Sequence, residues 1–475
     1  MIERTREFAV QPLLNLMRQT WQCLLVLVGL WTGLGGAFAG SATNLLVWSS
    51  SGDHVTADVR GWPLLTLLES IAAQSGWQVR IEPDLEQLAS VKFKNLPSGE
   101  ALRFLLGDLN YALVPQTNGA TRLYVFRTAL GRATKLVRPP ADPAAATAPK
   151  RVPNELIIRV KPGTDIAALA KSLGAKIVGR IPELNAYRLQ FADEAATEAA
   201  RQQLQVNPDV ASVENNYYLE KPFTPQNLAG QLAPQPKLSL SPVPRETGRV
   251  VVGLVDTTLQ KQDPALEQFV KERLSLAGEP SGDGVSPTHA DAMLNTLVQA
   301  LAQSLGKSET SVQIIHVDVF GKSATANTFT AAQGMYEAYR HGATVINDSF
   351  GSYGESPIMS EVVKFLSGEN VPVFAAVGND GSSTPFTPAS IPGVVAVTAT
   401  ERGQVAAYAN VGTTPTVAAP GVVIFYYQGM TYGSRGTSVS SAAATGFAAG
   451  LADSTGAPWS KVVSLVQMKL PVPAP

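Results

Sequence analysis

The stretch Gly436-Thr437-Ser438-Val439-Ser440-Ser441-Ala442-Ala443-Ala444-Thr445-Gly446-Phe447-Ala448-Ala449-Gly450 constrains both packing and chemistry. Gly, Thr and Ser ahead of an unbroken helix-compatible run mark a helix start. The alanines and glycines behind them carry so little bulk that the helix can lie close against its neighbours. A hydroxyl at Ser438 would stand at the positive end of a helix dipole, beside backbone N–H groups able to stabilise an oxyanion. From this stretch alone the serine is either an N-cap or a nucleophile. A nucleophile requires a base, an orienting acid and an oxyanion donor elsewhere in the chain.

Working outward, the segment before it alternates apolar strand-like runs with amphipathic ones. Strands are expected at 250–255, 312–319, 344–349, 372–377 and 394–398, and helices from His289, over 324–341 and near 361–367. Such alternation predicts an α/β domain, a parallel β-sheet flanked by helices, with ligands at the carboxyl ends of its strands.

Three further groups fall at strand ends or helix starts. Asp256 closes the apolar run 250–255, where a carboxylate either forms an Asx turn or orients an imidazole. His289 opens a helix through Met293, Leu294, Leu297 and Leu301, as an exposed helix-start residue or as a base facing a cleft. Asn379 follows Phe374-Ala375-Ala376-Val377-Gly378, where its amide is either part of an ordinary turn or a donor to an oxyanion. The chain has only four histidines. His54 lies in the first exported segment, His316 lies mid-strand among apolar residues, and His341 ends a helix, where a histidine suits the negative end of the dipole.

In the order Asp256, His289, Asn379, Ser438, these motifs resemble the subtilisin-like serine proteases, peptidase family S8. Val255-Asp256-Thr257-Thr258 is similar to the family's aspartate motif, His289-Ala290-Asp291-Ala292-Met293 to its histidine motif, and Gly436-Thr437-Ser438-Val439-Ser440 to its serine motif. The resemblance implies catalysis by Asp256, His289 and Ser438, with Asn379 in the oxyanion hole. It also implies that a peptide binds beside Ser349, Phe350 and Gly351 and near Ala376 and Gly378. The expected activity is serine endopeptidase, with polypeptide substrates and no cofactor. A calcium site is not readable, since loop carboxylates such as Asp283 and Asp380 are scattered, and no metal ligands are assigned. Four positions depart from the family pattern: Thr258 stands for Gly, Ala290-Asp291 for Gly-Thr, and Ala442 for Pro. Asp291 either favours a charged His289 or is an acidic residue of a helix's first turn. The departures keep open a competing class, a catalytically degenerate subtilisin-fold protein acting as a binding or scaffold module, and a glutamate-based relative of the fold.

Upstream, 154–220 reads strand, helix, strand, strand, helix, strand, a ferredoxin-like α+β order. Glu155-Leu156-Ile157-Ile158-Arg159-Val160-Lys161-Pro162-Gly163 and Asn207-Pro208-Asp209-Val210-Ala211-Ser212-Val213-Glu214 resemble the inhibitory propeptide of the same proteases. That resemblance implies a folding chaperone and inhibitor, and a self-processed zymogen cut within the polar linker 221–249. The catalytic domain is then 250–475. Before the propeptide lie a Pro/Ala linker, 131–153, and a small βαβ-type module, 56–130. Gly61-Trp62-Pro63-Leu64-Leu65 and Lys94-Asn95-Leu96-Pro97-Ser98-Gly99-Glu100-Ala101-Leu102 resemble the short N-terminal domain of secretins and TonB-dependent receptors. This implies a periplasmic setting and a protein partner.

Residues 1–39 carry Arg4, Arg6 and Arg18, an apolar run, and the small-residue pattern Ala37-Phe38-Ala39 of a signal peptide. Export to the periplasm or the exterior is expected, with an uncleaved membrane anchor as the lesser reading. The only cysteine, Cys23, lies inside that segment, so the exported chain would have neither a disulfide nor a catalytic thiolate. At 475 residues and 45% hydrophobic content the chain is long and apolar enough for several cores. A net charge of -1 gives no pull toward nucleic acid, so no nucleic-acid partner is expected.

Overall fold

The computed structural model describes residues 45–48, 54–83, 85, 87–114, 121–137, 149–228, 240–243 and 250–474. The export segment read at 1–39 lies outside the described residues. Among those described, no helix is long and apolar enough to cross a membrane. The chain divides into two compact units, one ending at Ala141 and one starting at Asp142.

The first unit is larger than the βαβ-type module expected at 56–130. It holds a three-stranded sheet of Leu45–Trp48, His54–Pro63 and Leu88–Pro97. Its second sheet has four strands, Asn110–Val114, Arg122–Phe126, Gln78–Ile81 and Lys135–Val137. Helices Leu64–Ser75 and Ser98–Leu106 bury Leu67, Leu68, Ile71, Leu102 and Leu105 in a core of their own. The additional strands were hidden for physical reasons. Leu46 and Trp48, buried in the core, continue the apolar composition of the export segment, and Lys135–Val137 is too short to show periodicity.

In the second unit, Arg151–Val160, Lys176–Ile181, Ala186–Gln190 and Val210–Glu220 form an antiparallel sheet, with Arg151–Val160 between Val210–Glu220 and Ala186–Gln190. The linker expected at 131–153 is therefore shorter at both ends. Period-two alternation sorts this sheet's faces. Leu156, Ile158 and Val160 share a core with Ala170 and Leu204 of the helices Ile166–Ser172 and Glu194–Gln205. Ile157, Ile181 and Ala186 instead join Phe329, Ile358 and Val362, so the opposite face packs on the helices Thr328–Arg340 and Pro357–Gly368.

Those two helices cover one face of a largely parallel sheet. Its strands run in the order Val270–Ser275, Gln313–Asp318, Val251–Asp256, Val345–Asp348, Val373–Ala376 and Val395–Glu401, with Val417–Pro420 beyond. The chain enters at Val251–Asp256 and later builds outward on both sides of it. Asp256 thus sits at the topological switch point, where sheets of this kind open a ligand crevice. The helix expected over 324–341 begins only at Thr328, because Thr325–Asn327 pairs as a strand with Val210–Glu220. The helix expected near 361–367 spans Pro357–Gly368. The stretch 221–249 is not a free linker where it is described: Gln226–Asn227 pairs with Met430–Arg435, and Ser241–Pro242 with Glu309–Thr310.

The other face is covered by His289–Leu305 and Thr437–Thr455. The small residues of the second helix allow the close contact expected of them. A Cβ on Gly446 would lie 2.9 Å from the carbonyl carbon of Leu297, and one on Gly450 would lie 3.2 Å from the Leu301 oxygen. Each glycine and its opposite leucine stand equally far from Ser438 and His289, so the helices run parallel and level. Their starts, and the two residues they carry, are held at one end of the sheet.

Candidate active site

Asp256 is fully buried at its strand end. Its carboxylate oxygens lie 2.8 and 3.0 Å from His289 Nδ1, and Oδ1 also accepts the Thr257 N–H at 2.6 Å. A carboxylate facing Nδ1 requires the proton there, which leaves Nε2 as the free, basic nitrogen.

The loop ahead of His289 is tied down around Asp291. Thr288 caps the helix: its hydroxyl accepts from Asp291 N–H, and Thr288 N–H donates to Asp291 Oδ2 at 2.8 Å, a reciprocal capping box. Asp291 also accepts from Gln260 N–H, Gln260 Nε2 and Gln262 Nε2 at 3.0, 3.0 and 2.7 Å. Burial raises the carboxyl above its ordinary pKa, and the Gln260 and Thr288 hydrogen bonds oppose that. Of the two roles open to Asp291, the geometry gives the helix cap. Thr258, where the family has Gly, donates to Asp318 and accepts from Ser281 N–H at 2.8 Å, so it ties two loops together.

The helix Thr437–Thr455 starts differently. Its N-cap is Gly436, at φ 147°, and no side chain caps it. The hydroxyl of Ser438 donates to Ser349 O at 2.6 Å. Among the described residues no hydrogen bond joins it to His289, and Ser438 N–H has no acceptor. Behind the serine, buried Asn347 binds the helix to its strand. Its Oδ1 accepts from Ser441 Oγ and Thr445 Oγ1 at 3.0 and 3.1 Å, while Nδ2 donates to Ser349 Oγ at 2.8 Å.

Asn379 is exposed beside this start. Its Oδ1 accepts Thr437 N–H at 2.8 Å and Thr437 Oγ1 at 3.0 Å, so the amide is turned with Nδ2 free to donate. Gly378, at φ 100°, allows the bend, and its N–H donates to Thr437 Oγ1 at 3.2 Å. Thr437 is thus the residue that orients Asn379, and only its position between Gly436 and Ser438 hinted at it. Ser349, Phe350 and Ala376 are buried, with the Phe350 ring edge-on to Phe320 at 5.2 Å, so what they can offer a peptide is main chain. Gly351 is partly exposed and Gly378 buried.

The remaining histidines lie elsewhere. His316 is buried, with Nε2–H donating to Thr257 O at 2.7 Å, and burial lowers its pKa. His341 caps the helix Thr328–Arg340 at its C-terminal end, 3.0 Å from Glu272. Asp283 accepts from Val285 and Ser286 N–H, and Asp380 accepts from Tyr353 OH.

Residues 248–468 match the model of the subtilase family, and residues 139–216 match the fervidolysin N-terminal prodomain. Subtilisin Savinase of Lederbergia lenta is 32% identical over 193 residues, covering 39% of this chain and 70% of that protein. The chain belongs to the subtilase family. The subtilase is also 26% identical over 314 residues to a thermophilic serine proteinase of Bacillus sp. (strain AK1), covering 63% of this chain and 78% of that one. Fervidolysin from Fervidobacterium pennivorans, a keratinolytic enzyme related to subtilisin, shares the fold with a TM-score of 0.51 at 18% identity; the match covers 66% of this chain and 57% of that one. The protein is a subtilisin-like serine endopeptidase made with an N-terminal prodomain.

Proposed function

We propose that the protease hydrolyses polypeptides by acyl transfer through Asp256, His289 and Ser438. The observation that carries this is the Asp256 carboxylate at 2.8 and 3.0 Å from His289 Nδ1, at a helix start level with that of Ser438. Ser438 Oγ turns from Ser349 O toward His289 when a peptide enters, and His289 Nε2 takes its proton as Oγ attacks the scissile carbonyl. The imidazolium, held by Asp256, then returns that proton to the leaving amine. The tetrahedral oxyanion is held by Asn379 Nδ2 and Ser438 N–H, both without an acceptor at rest. The peptide lies extended along the main chain of 349–351 and pairs there as an added strand. The reaction needs no cofactor.

The chain is a self-processed zymogen in this account, exported to the periplasm or the exterior. Lys221 N–H donates to Ala324 O, next to the edge strand Thr325–Asn327, while Gln226–Asn227 pairs with Gly433 and Tyr432 of the strand that leads into Ser438. We assign self-cleavage to the stretch 221–249, beyond the last prodomain strand Val210–Glu220. The first unit acts as a docking module for a periplasmic protein, by its resemblance to secretin and TonB-receptor domains.

The test is a fluorophosphonate applied to the purified protein, with intact-mass detection. Wild type should gain one adduct at Ser438 and cleave unfolded casein, and His289→Ala should do neither. An unlabelled wild type that leaves casein intact would refute the mechanism, and activity retained in His289→Ala would indicate a different base.

A further inference from the structure

The segments 349–351 and 376–378 leave the carboxyl ends of two adjacent parallel strands, Val345–Asp348 and Val373–Ala376. Both touch the serine turn, through Ser438 Oγ on Ser349 O and Gly378 N–H on Thr437 Oγ1. With the peptide lying along 349–351 as proposed above, the side chain on the acyl side of the scissile bond falls between these two segments, which flank the serine turn.

Each segment ends in a glycine, and the Phe386 ring packs against both, beside Thr387 O at Gly351 and Asn410 Nδ2 at Gly378. A Cβ on Gly351 would lie 2.6 Å from Phe386 Cε1, and one on Gly378 would lie 3.2 Å from Phe386 Cγ. The Phe386 ring therefore stands in van der Waals contact with both walls of the space that would receive the side chain. It is also held there. Phe386–Thr387 pairs antiparallel with Ser352–Tyr353, and Phe386 N–H donates to Thr413 Oγ1 at 3.1 Å. The Tyr353 ring meets Phe386 edge-on, 5.1 Å away at 70°. Tyr353 OH is fixed in turn by Asp380 and by Asn410 Nδ2 at 3.1 Å, and Asn410 Oδ1 accepts Asp380 and Ser382 N–H at 2.9 and 3.0 Å. Moving the ring aside would lose its edge contact with the anchored Tyr353, and a well-packed site resists added volume.

We infer that Phe386 closes the side-chain pocket of this protease, so that it cleaves after small residues such as alanine, glycine or serine and rejects aromatic ones. This rests on Ser438 as the nucleophile. Phe386 is a specificity-determining residue, and none of the acyl-transfer steps uses it.

The experiment compares two tetrapeptide p-nitroanilides that differ only in alanine or phenylalanine before the scissile bond, using the purified full-length protein after any self-processing. Wild type should show kcat/KM at least roughly tenfold higher for alanine. Phe386→Gly should raise kcat/KM for phenylalanine by about tenfold or more while changing that for alanine far less, with Phe386→Leu in between. Should the variants fail to fold, wild type alone decides the matter, because its cut sites in unfolded casein, read by mass spectrometry, should follow small residues. An active wild type that prefers phenylalanine, or that cuts casein after large side chains, overturns the closed pocket and leaves the nucleophile intact. Folded variants that gain nothing on phenylalanine overturn it as well. A wild type that cleaves neither peptide nor casein and takes up no fluorophosphonate overturns the nucleophile and, with it, the pocket.

Discussion

The two helices that carry the proposed reacting groups run side by side, yet they begin in opposite ways. At His289 the start is closed: Thr288 and Asp291 cap each other, and Gln260 and Gln262 add three more hydrogen bonds to the Asp291 carboxylate. At Ser438 the start is open: Gly436 offers no capping side chain, Thr437 N–H goes to Asn379, and Ser438 N–H has no acceptor among the described residues. A base has to be held in one orientation, whereas an oxyanion site has to keep donors unspent until charge develops. The first task favours a cap, and the second forbids one.

This contrast predicts different kinds of loss on the two sides. The largest is expected at the open start. Asn379→Ala should lower kcat by on the order of 10²–10³-fold at a stability cost of only about 1 kcal/mol, because the exposed side chain gives up just its two hydrogen bonds from Thr437. A large drop in the midpoint would mean that Asn379 serves the turn and not the reaction. At the closed start the order reverses. Asp291→Ala strands the buried donors of Thr288, Gln260 and Gln262, and should cost about 3 kcal/mol of stability in denaturant titration. Activity should fall through loss of folded enzyme and misplacement of His289. An Asp291→Ala protein as stable as wild type would remove the cap from the account.

The smallest effect lies at the prodomain interface. Glu214 sits at the start of the helix Pro357–Gly368, buried, with neither carboxylate oxygen completing a hydrogen bond. Desolvation pushes its pKa up to about 8, against the pull of the Ile358 amide and Arg159. The docked carboxyl binds its proton more tightly than the free one does. Docking is therefore strongest below the ordinary glutamate pKa, weakens as pH rises toward about 8, and levels off above it. In the uncleaved Ser438→Ala protein, prodomain melting should move to lower temperature between about pH 6 and about pH 9. Glu214→Gln should flatten that dependence, and an unchanged slope in the variant would place the titration elsewhere.

Much of this was legible in the sequence, for identifiable reasons. Continuous apolar runs such as Val251–Asp256 and Gln313–Asp318 announce buried parallel strands, and the small residues of Thr437–Thr455 announce a close helix contact. The edge strand Val270–Ser275 escaped because its alternation is half polar, Val-Lys-Glu-Arg-Leu-Ser. The hairpin of Val422–Tyr427 and Met430–Arg435 escaped because its pairing is set by the neighbouring strand. At the site, motif order pointed to Asp256, His289, Asn379 and Ser438, since each closes or opens an element. The groups that orient them were invisible. The Asp291 cap depends on glutamines from a separate loop, the Asn379 amide on Thr437, and the pocket on Phe386, and none of these contacts leaves a local pattern.

The central claim, that Ser438 is the nucleophile of a self-processing protease, is tested most directly by intact mass of the purified chain. Wild type should lose its N-terminal modules through a cut within 221–249, and Ser438→Ala should keep them. Identical processing of both proteins would contradict self-cleavage and point to another protease.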